Sequence, residues 1–200
     1  MVECVTVDEL DRVAKDMKKY GVACVNGLLD ADRVDNALEG VGDMQVDPRV
    51  PSRQGGCVFS DKLDRIVEEG MGVHRKVSGD VCDTHRLAFP IEYRRYPSNS
   101  GGMDAHVDTV LYDTPQMEAV YTVSNTDTCT RFVYTDNDGK RRELQPKRGD
   151  LIYVQAGRTV HEVTPLCDGE RNILKFATTC PGNVATDELS DAIVNCPKLS

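Results

Sequence analysis

Two hundred residues, 40% of them apolar and 28% charged, make an ordinary globular composition, long enough for one sizeable core. A formal charge of −9 repels phosphate backbones and argues against nucleic acid as a partner, while no apolar run reaches the ~18–20 residues of a membrane span. Met1-Val2-Glu3-Cys4 opens without a basic region and apolar stretch, so no secretory signal is expected and the chain reads as cytoplasmic.

Along the chain, Thr6 and Glu9 form a capping-box pattern, and Leu10, Val13 and Met17 follow at helical spacing until Gly21, which suits a left-handed helix end. Val22 to Val25 reads as a short strand. Asp30 is placed to cap a second helix with Val34, Leu38 and Val41 on one face, and a third starts at Ser60 with Leu63, Ile66 and Val67 as its apolar stripe. Between them, Asp43–Cys57 holds two prolines and two glycines and reads as a loop. Its Arg49, Val50 and Arg53 are candidate ligand contacts, which makes it a candidate substrate-gating lid.

From Arg86 the period becomes two: Leu87, Phe89, Ile91 and Tyr93 alternate with more polar neighbours. Further strands are expected at 118–124, 130–135, 140–144, 150–154, 159–163 and 172–178. Asp136-Asn137-Asp138-Gly139 is a strong hairpin turn, since Asn, Asp and Gly tolerate positive φ. This predicts one domain over 1–200: helical support in 1–80, then a mainly β sandwich or barrel over 86–180. The eight cysteines, at 4, 24, 57, 82, 129, 167, 180 and 196, include no CxxC pair. They are expected to be reduced thiols, several buried as small hydrophobes.

Only four histidines occur. His106-Val107-Asp108 is an HxD pair and His161 follows 55 residues later. Two imidazoles and one carboxylate leave coordination positions open on Fe(II), although HxD alone equally describes a surface pair beside an unrelated core histidine. Arg171, ten residues after His161, is suited to clamp a carboxylate bidentately, and Tyr96, ten residues before His106, can donate a hydroxyl. Should Arg171 not be the clamp, Lys175 is the alternative base. His74 and His85 have no partner pattern. Arg94 and Arg95 flank a strand and are expected to split between inside and outside, either one a candidate for positioning substrate.

The run from Tyr93 to Asp108, with Tyr96-Pro-Ser-Asn-Ser-Gly before HxD, resembles Fe(II)/2-oxoglutarate dioxygenases of the prolyl-hydroxylase type. So does Arg148-Gly-Asp150 through His161-Glu-Val-Thr-Pro to Gly169-Glu-Arg171. That resemblance covers about residues 20–180 and implies a double-stranded β-helix (jelly roll) on N-terminal helices. It further implies His106, Asp108 and His161 as catalytic iron ligands, and Arg171 with Tyr96 as the 2-oxoglutarate site. Tyr121 is either a second co-substrate tyrosine or core, and Thr159 is a candidate on the face of His161. Relatives commonly carry Gly-Gly and an acidic residue where Thr130 and Arg131 stand; Arg131 is therefore either a substrate contact or a solvated surface residue. The implied cofactors are Fe(II), 2-oxoglutarate and O2, with ascorbate as a candidate reductant. Asp108 favours hydroxylation over halogenation, since related halogenases lack this carboxylate.

The expected activity is hydroxylation of an aliphatic carbon, on a prolyl or other side chain of a protein or peptide, or on a free amino acid or small metabolite. A non-enzymatic jelly-roll binding module is the remaining alternative. A monomer or weak dimer without nucleic-acid or membrane partners is expected.

Overall fold

The computed structural model describes residues 2–42, 44–47, 50–70, 73 and 85–199. Strand β1 (Val5–Thr6) leads through a single 3-10 turn, Val7–Glu9, into helix α1 (Leu10–Tyr20), which buries Val13, Met17 and Tyr20. The expected capping box does not form: Thr6 makes no side-chain cap bond. Its backbone is extended and aligned with Asn26 in a parallel ladder, which draws it away from cap geometry. Gly21 ends α1 at φ 74°, as its freedom in the left-handed region allows. Strand β2 (Val22–Asn26) follows, then α2 (Ala31–Leu38). Asp30 caps α2 by accepting from the N–H groups of Asp32 and Arg33, which satisfies two otherwise orphan donors.

The segment expected to be a loop through Cys57 instead yields strand β3 (Gln54–Val58). Its backbone finds partners in β4 (Arg86–Tyr96) and in the C-terminal β12 (Lys198–Leu199). Among the described residues before it, Arg53 and Asp47 form a buried ion pair at 2.7 Å. Asp43, Pro48, Arg49 and His74 lie outside the described residues. Helix α3 (Asp61–Gly70) buries Leu63, Ile66 and Val67.

The remaining strands are β5 (Met103–His106), β6 (Met117–Asn125), β7 (Phe132–Thr135), β8 (Arg141–Leu144), β9 (Asp150–Gln155), β10 (His161–Val163) and β11 (Arg171–Thr179), followed by α4 (Asp187–Val194). An eight-stranded sheet has the order β1-β2-β9-β6-β11-β4-β3-β12, and a four-stranded sheet the order β5-β10-β7-β8. From β4 to β11 the chain passes repeatedly from one sheet to the other, and Ile152 and Val154 of β9 pack against Phe132 and Tyr134 of β7. This is the jelly roll. Strands β7 and β10 begin two residues later than expected. Ahead of β7, the N–H groups of Cys129 and Thr130 go to the Asp127 carboxylate rather than to a neighbouring strand.

Alternation along the strands separates two environments. Glu92, Arg94 and Tyr96 of β4, Glu118 and Val120 of β6, and Arg171, Ile173 and Lys175 of β11 face cavities inside the roll. Ile91 and Tyr93, Ala119 and Tyr121, and Leu174 face the other way, into the core made with Val13, Val34 and Leu63 of the helices.

The expectation of reduced thiols is overturned. Cys4–Cys24, Cys57–Cys196 and Cys129–Cys167 are disulfides, Cys180 is also disulfide-bonded, and no described cysteine is free. Each described bridge joins segments brought together by strand or loop packing, which spacing along the chain does not reveal. Stable disulfides are rare in the reducing cytosol, and these tell against the cytoplasmic expectation. No helix among the described residues is long and apolar enough to cross a membrane.

Candidate active site

His106 closes β5 and His161 opens β10, and the two are direct partners in the antiparallel ladder. Their rings lie 4.4 Å apart between centroids. The same local device orients both. His106 Nδ1 lies 2.8 Å from the Asp104 carbonyl, and His161 Nδ1 lies 3.0 Å from the Thr159 carbonyl. A carbonyl only accepts, so each Nδ1 carries the proton and each Nε2 keeps its lone pair. Both Nε2 atoms then face Asp108, at 3.8 Å from Oδ1 for His106 and 3.5 Å from Oδ2 for His161. The three ligand atoms lie within 4.8 Å of one another. Phe132 stacks on His161, and the Asp108 carbonyl accepts from the Gly157 N–H at 2.9 Å, anchoring the chain just past the HxD pair.

Charge in the site is concentrated on Asp108. Burial alone would raise its pKa, but Lys175 Nζ at 2.7 Å and the two imidazoles outweigh it and bring the pKa to about 2. Burial pushes His161 below its ordinary value, against the pull of Asp108, which keeps the ring neutral and able to ligate. Lys175 is a residue that the sequence reading raised only as a substitute clamp. Its position four residues after Arg171 gives it the same inward face of β11, a signal that strand periodicity already contained.

Arg171 sits at the start of β11, aligned with Tyr96 across the ladder. It is 1% exposed, and its Nε and Nη2 have no hydrogen-bond partner. A buried guanidinium without an acceptor is costly, so this is a cradle shaped for an anion. Burial lowers the Arg171 pKa while Tyr96 opposes that effect. Tyr96 is itself buried, a change that raises a phenol, yet Arg94, Arg53 and Arg171 pull it below its usual value. One cavity is lined by Tyr96, Arg171, Val120 and all three candidate ligands.

Three candidate contacts have their side chains engaged elsewhere. Tyr121 is on the helix-facing side of β6, opposite Val120, where burial pushes its phenol up to about 12. The Thr159 hydroxyl donates to the Gly21 carbonyl; only its backbone serves the site, through His161. The Arg131 guanidinium donates to the carbonyls of Thr128 and Thr130, holding the turn before β7. Arg94 and Arg95 do split: Arg94 faces the cavities and pairs with Glu92, while Arg95 is exposed and pairs with Glu170. His85 is not among the clustered ligand groups.

No protein-family model and no curated protein matches the chain. Solved structures do. An oxidoreductase of the 2OG-Fe(II) oxygenase family from Burkholderia pseudomallei superposes with a TM-score of 0.73 at 12% identity, over 88% of this chain and 92% of that one. The non-heme alpha-ketoglutarate-dependent epimerase SnoN from nogalamycin biosynthesis gives 0.72 at 15% identity, over 89% and 83%. A Pseudomonas putida prolyl-4-hydroxylase gives 0.66 at 17% identity, over 86% and 100%. At these identities the likeness establishes the fold: the chain has the jelly roll of 2-oxoglutarate/Fe(II) oxygenases.

Proposed function

We propose that the protein is an Fe(II)- and 2-oxoglutarate-dependent dioxygenase. It hydroxylates an aliphatic carbon of an amino-acid side chain, carried by a peptide or protein or by a free metabolite. The observation that carries this reading is the Arg171 guanidinium, its Nε and Nη2 unpartnered, buried in the same cavity as the ligand atoms of His106, Asp108 and His161. The donor set fits the metal, since two imidazoles and a carboxylate suit Fe(II) with open positions. The cradle fits the co-substrate, since a buried guanidinium beside a phenol suits a dicarboxylate.

His106, Asp108 and His161 would hold the iron, and Arg171 with Tyr96 the far carboxylate of 2-oxoglutarate. When bound, iron and 2-oxoglutarate supply the O2 chemistry: R–H, O2 and 2-oxoglutarate become R–OH, succinate and CO2, with the keto acid giving up two electrons as it decarboxylates. The chain's own share is geometric and electrostatic. The Asp104 and Thr159 carbonyls fix both imidazole tautomers, and Val120, Phe132, Val163 and Ile173 form an apolar wall beside the site.

The test combines anaerobic Fe(II) binding with succinate release in air, with ascorbate as reductant. His106→Ala, Asp108→Ala and His161→Ala should each abolish both. Full activity in His161→Ala would remove that residue from the site. A wild-type protein that binds Fe(II) and 2-oxoglutarate yet releases no succinate with any substrate would be a binding module. Because the same fold serves an epimerase, product analysis must show an added oxygen atom.

A further inference from the structure

Beside Asp108, on the side away from Arg171, lies a second cavity of about 150 Å³. Its lining combines apolar side chains, Phe89, Leu111 and Ala192, with four charged groups, Glu92, Arg94, Glu118 and Lys175. Buried charge around a void is expensive unless something uses it. A hydroxylase that receives an internal residue of a peptide has only neutral amides and a side chain to accommodate, and no use for such a lining.

We infer that this cavity takes the substrate, and that the substrate is a small free zwitterion of amino-acid size whose ammonium and carboxylate meet these charges. The inference rests on the oxygenase reading above. Arg94 uses Nε and Nη2 on Glu92, at 2.9 and 2.7 Å, and neither contact uses Nη1. Lys175 has three donors and makes one short contact, to Asp108. Together they form the carboxylate side of the site. Glu118 accepts from Gln116 at Oε1, while its Oε2 is 3.6 Å from Lys175, longer than a hydrogen bond. That oxygen is the ammonium side.

Formal charge agrees. Two carboxylates and two cations cancel, and Asp108 belongs to the metal, so a ligand without net charge leaves nothing uncompensated. Size agrees as well, since cavities for drug-sized ligands run to roughly 300–1,000 Å³. A larger groove of about 480 Å³ lies between residues 50–52 and 101–106, reaching His106. Its one acidic side chain, Asp104, is exposed, and its lining has no set of buried charged groups comparable to that of the inner cavity.

The experiment takes the protein loaded with Mn²⁺ and 2-oxoglutarate without oxygen for binding, and with Fe(II) in air for succinate release. Probes are the free amino acids, their N-acetyl and C-terminal amide forms, and proline-containing peptides. At least one free zwitterion should bind and stimulate succinate release, and capping either end should cost about 100-fold or more, as expected when buried polar groups lose their partners. Arg94→Met should erase the preference for a free carboxylate over the amide. Glu118→Gln should erase the preference for a free ammonium over the acetyl form. If either variant fails to fold, the capping series on the wild-type protein still decides. Stimulation by peptides or capped forms alone overturns the inference, as does consumption of 2-oxoglutarate that no free zwitterion stimulates; both leave the oxygenase reading standing. Failure to bind Mn²⁺ and 2-oxoglutarate at all overturns the oxygenase reading itself, and this inference with it.

Discussion

Arg171 is a charge that burial works against and that the Tyr96 phenol supports only in part. It is almost fully buried, with two guanidinium nitrogens unpartnered, so the ligand-free protein carries a cost that a bound anion removes. Two consequences of opposite sign follow for Arg171→Met, which keeps the bulk and deletes the charge. Thermal stability of the ligand-free protein should stay level or rise, because a costly buried charge disappears. Binding of 2-oxoglutarate should weaken by about 10-fold or more, since a charge-assisted pair contributes roughly 1.5–3 kcal/mol, while Fe(II) binding persists. Calorimetry on the same sample reads both. A variant that loses stability and keeps its 2-oxoglutarate affinity would make Arg171 a structural residue and transfer the clamp to Lys175.

At the scale of elements, the end of α1 is coupled to the metal site through one crowded contact. Gly21 sits at φ 74°, and a Cβ there would lie 2.9 Å from the Thr159 hydroxyl oxygen. That hydroxyl donates to the Gly21 carbonyl, and the Thr159 carbonyl in turn orients His161. Gly21→Ala should therefore do more than cost the ~1 kcal/mol or more of a strained left-handed alanine. It should displace Thr159, loosen the His161 ring and weaken Fe(II) or Mn²⁺ binding several-fold, because removing an outer partner of a ligand typically costs about 10–100-fold in affinity. Gly27, also at positive φ but with open space around it, is the control: Gly27→Ala should lose stability and leave metal affinity unchanged.

For the whole molecule, the bridges decide how the C-terminal end is held. Cys57–Cys196 closes a loop of 139 residues and ties β3 to the segment between α4 and β12, where α4 covers the inner cavity with Ala192. In the chain-entropy picture a loop of this length contributes about 4–5 kcal/mol. Reduction with a strong thiol should lower the melting temperature by well over ten degrees, and Cys57→Ser with Cys196→Ser should reproduce much of that drop. A melting temperature indifferent to reductant would show that the bridges do not form in solution.

The candidate ligands, the candidate clamp residue and most strands from Arg86 onward were legible in the residues, because each depends on local chemistry; β3, β5 and the terminal strands, which exist only through their partners, were not. His and Asp are the side chains that ligate, Gly21 and Asp30 are the residues that stop and start helices, and period two marks strands. Chain order does not carry what distant segments do to each other. Both faces of β6 are largely buried, one by helices and one by the roll, so alternation showed that Val120 and Tyr121 point apart but not which one faces the cavity. Lys175 meets Asp108 across a sequence separation of 67, and the cysteine partners are 20, 38 and 139 residues apart. Those contacts exist only once β11 lies between β6 and β4 and the C-terminal end returns to β3. Local chemistry determined which residues are able to act; packing across the two sheets determined which of them meet.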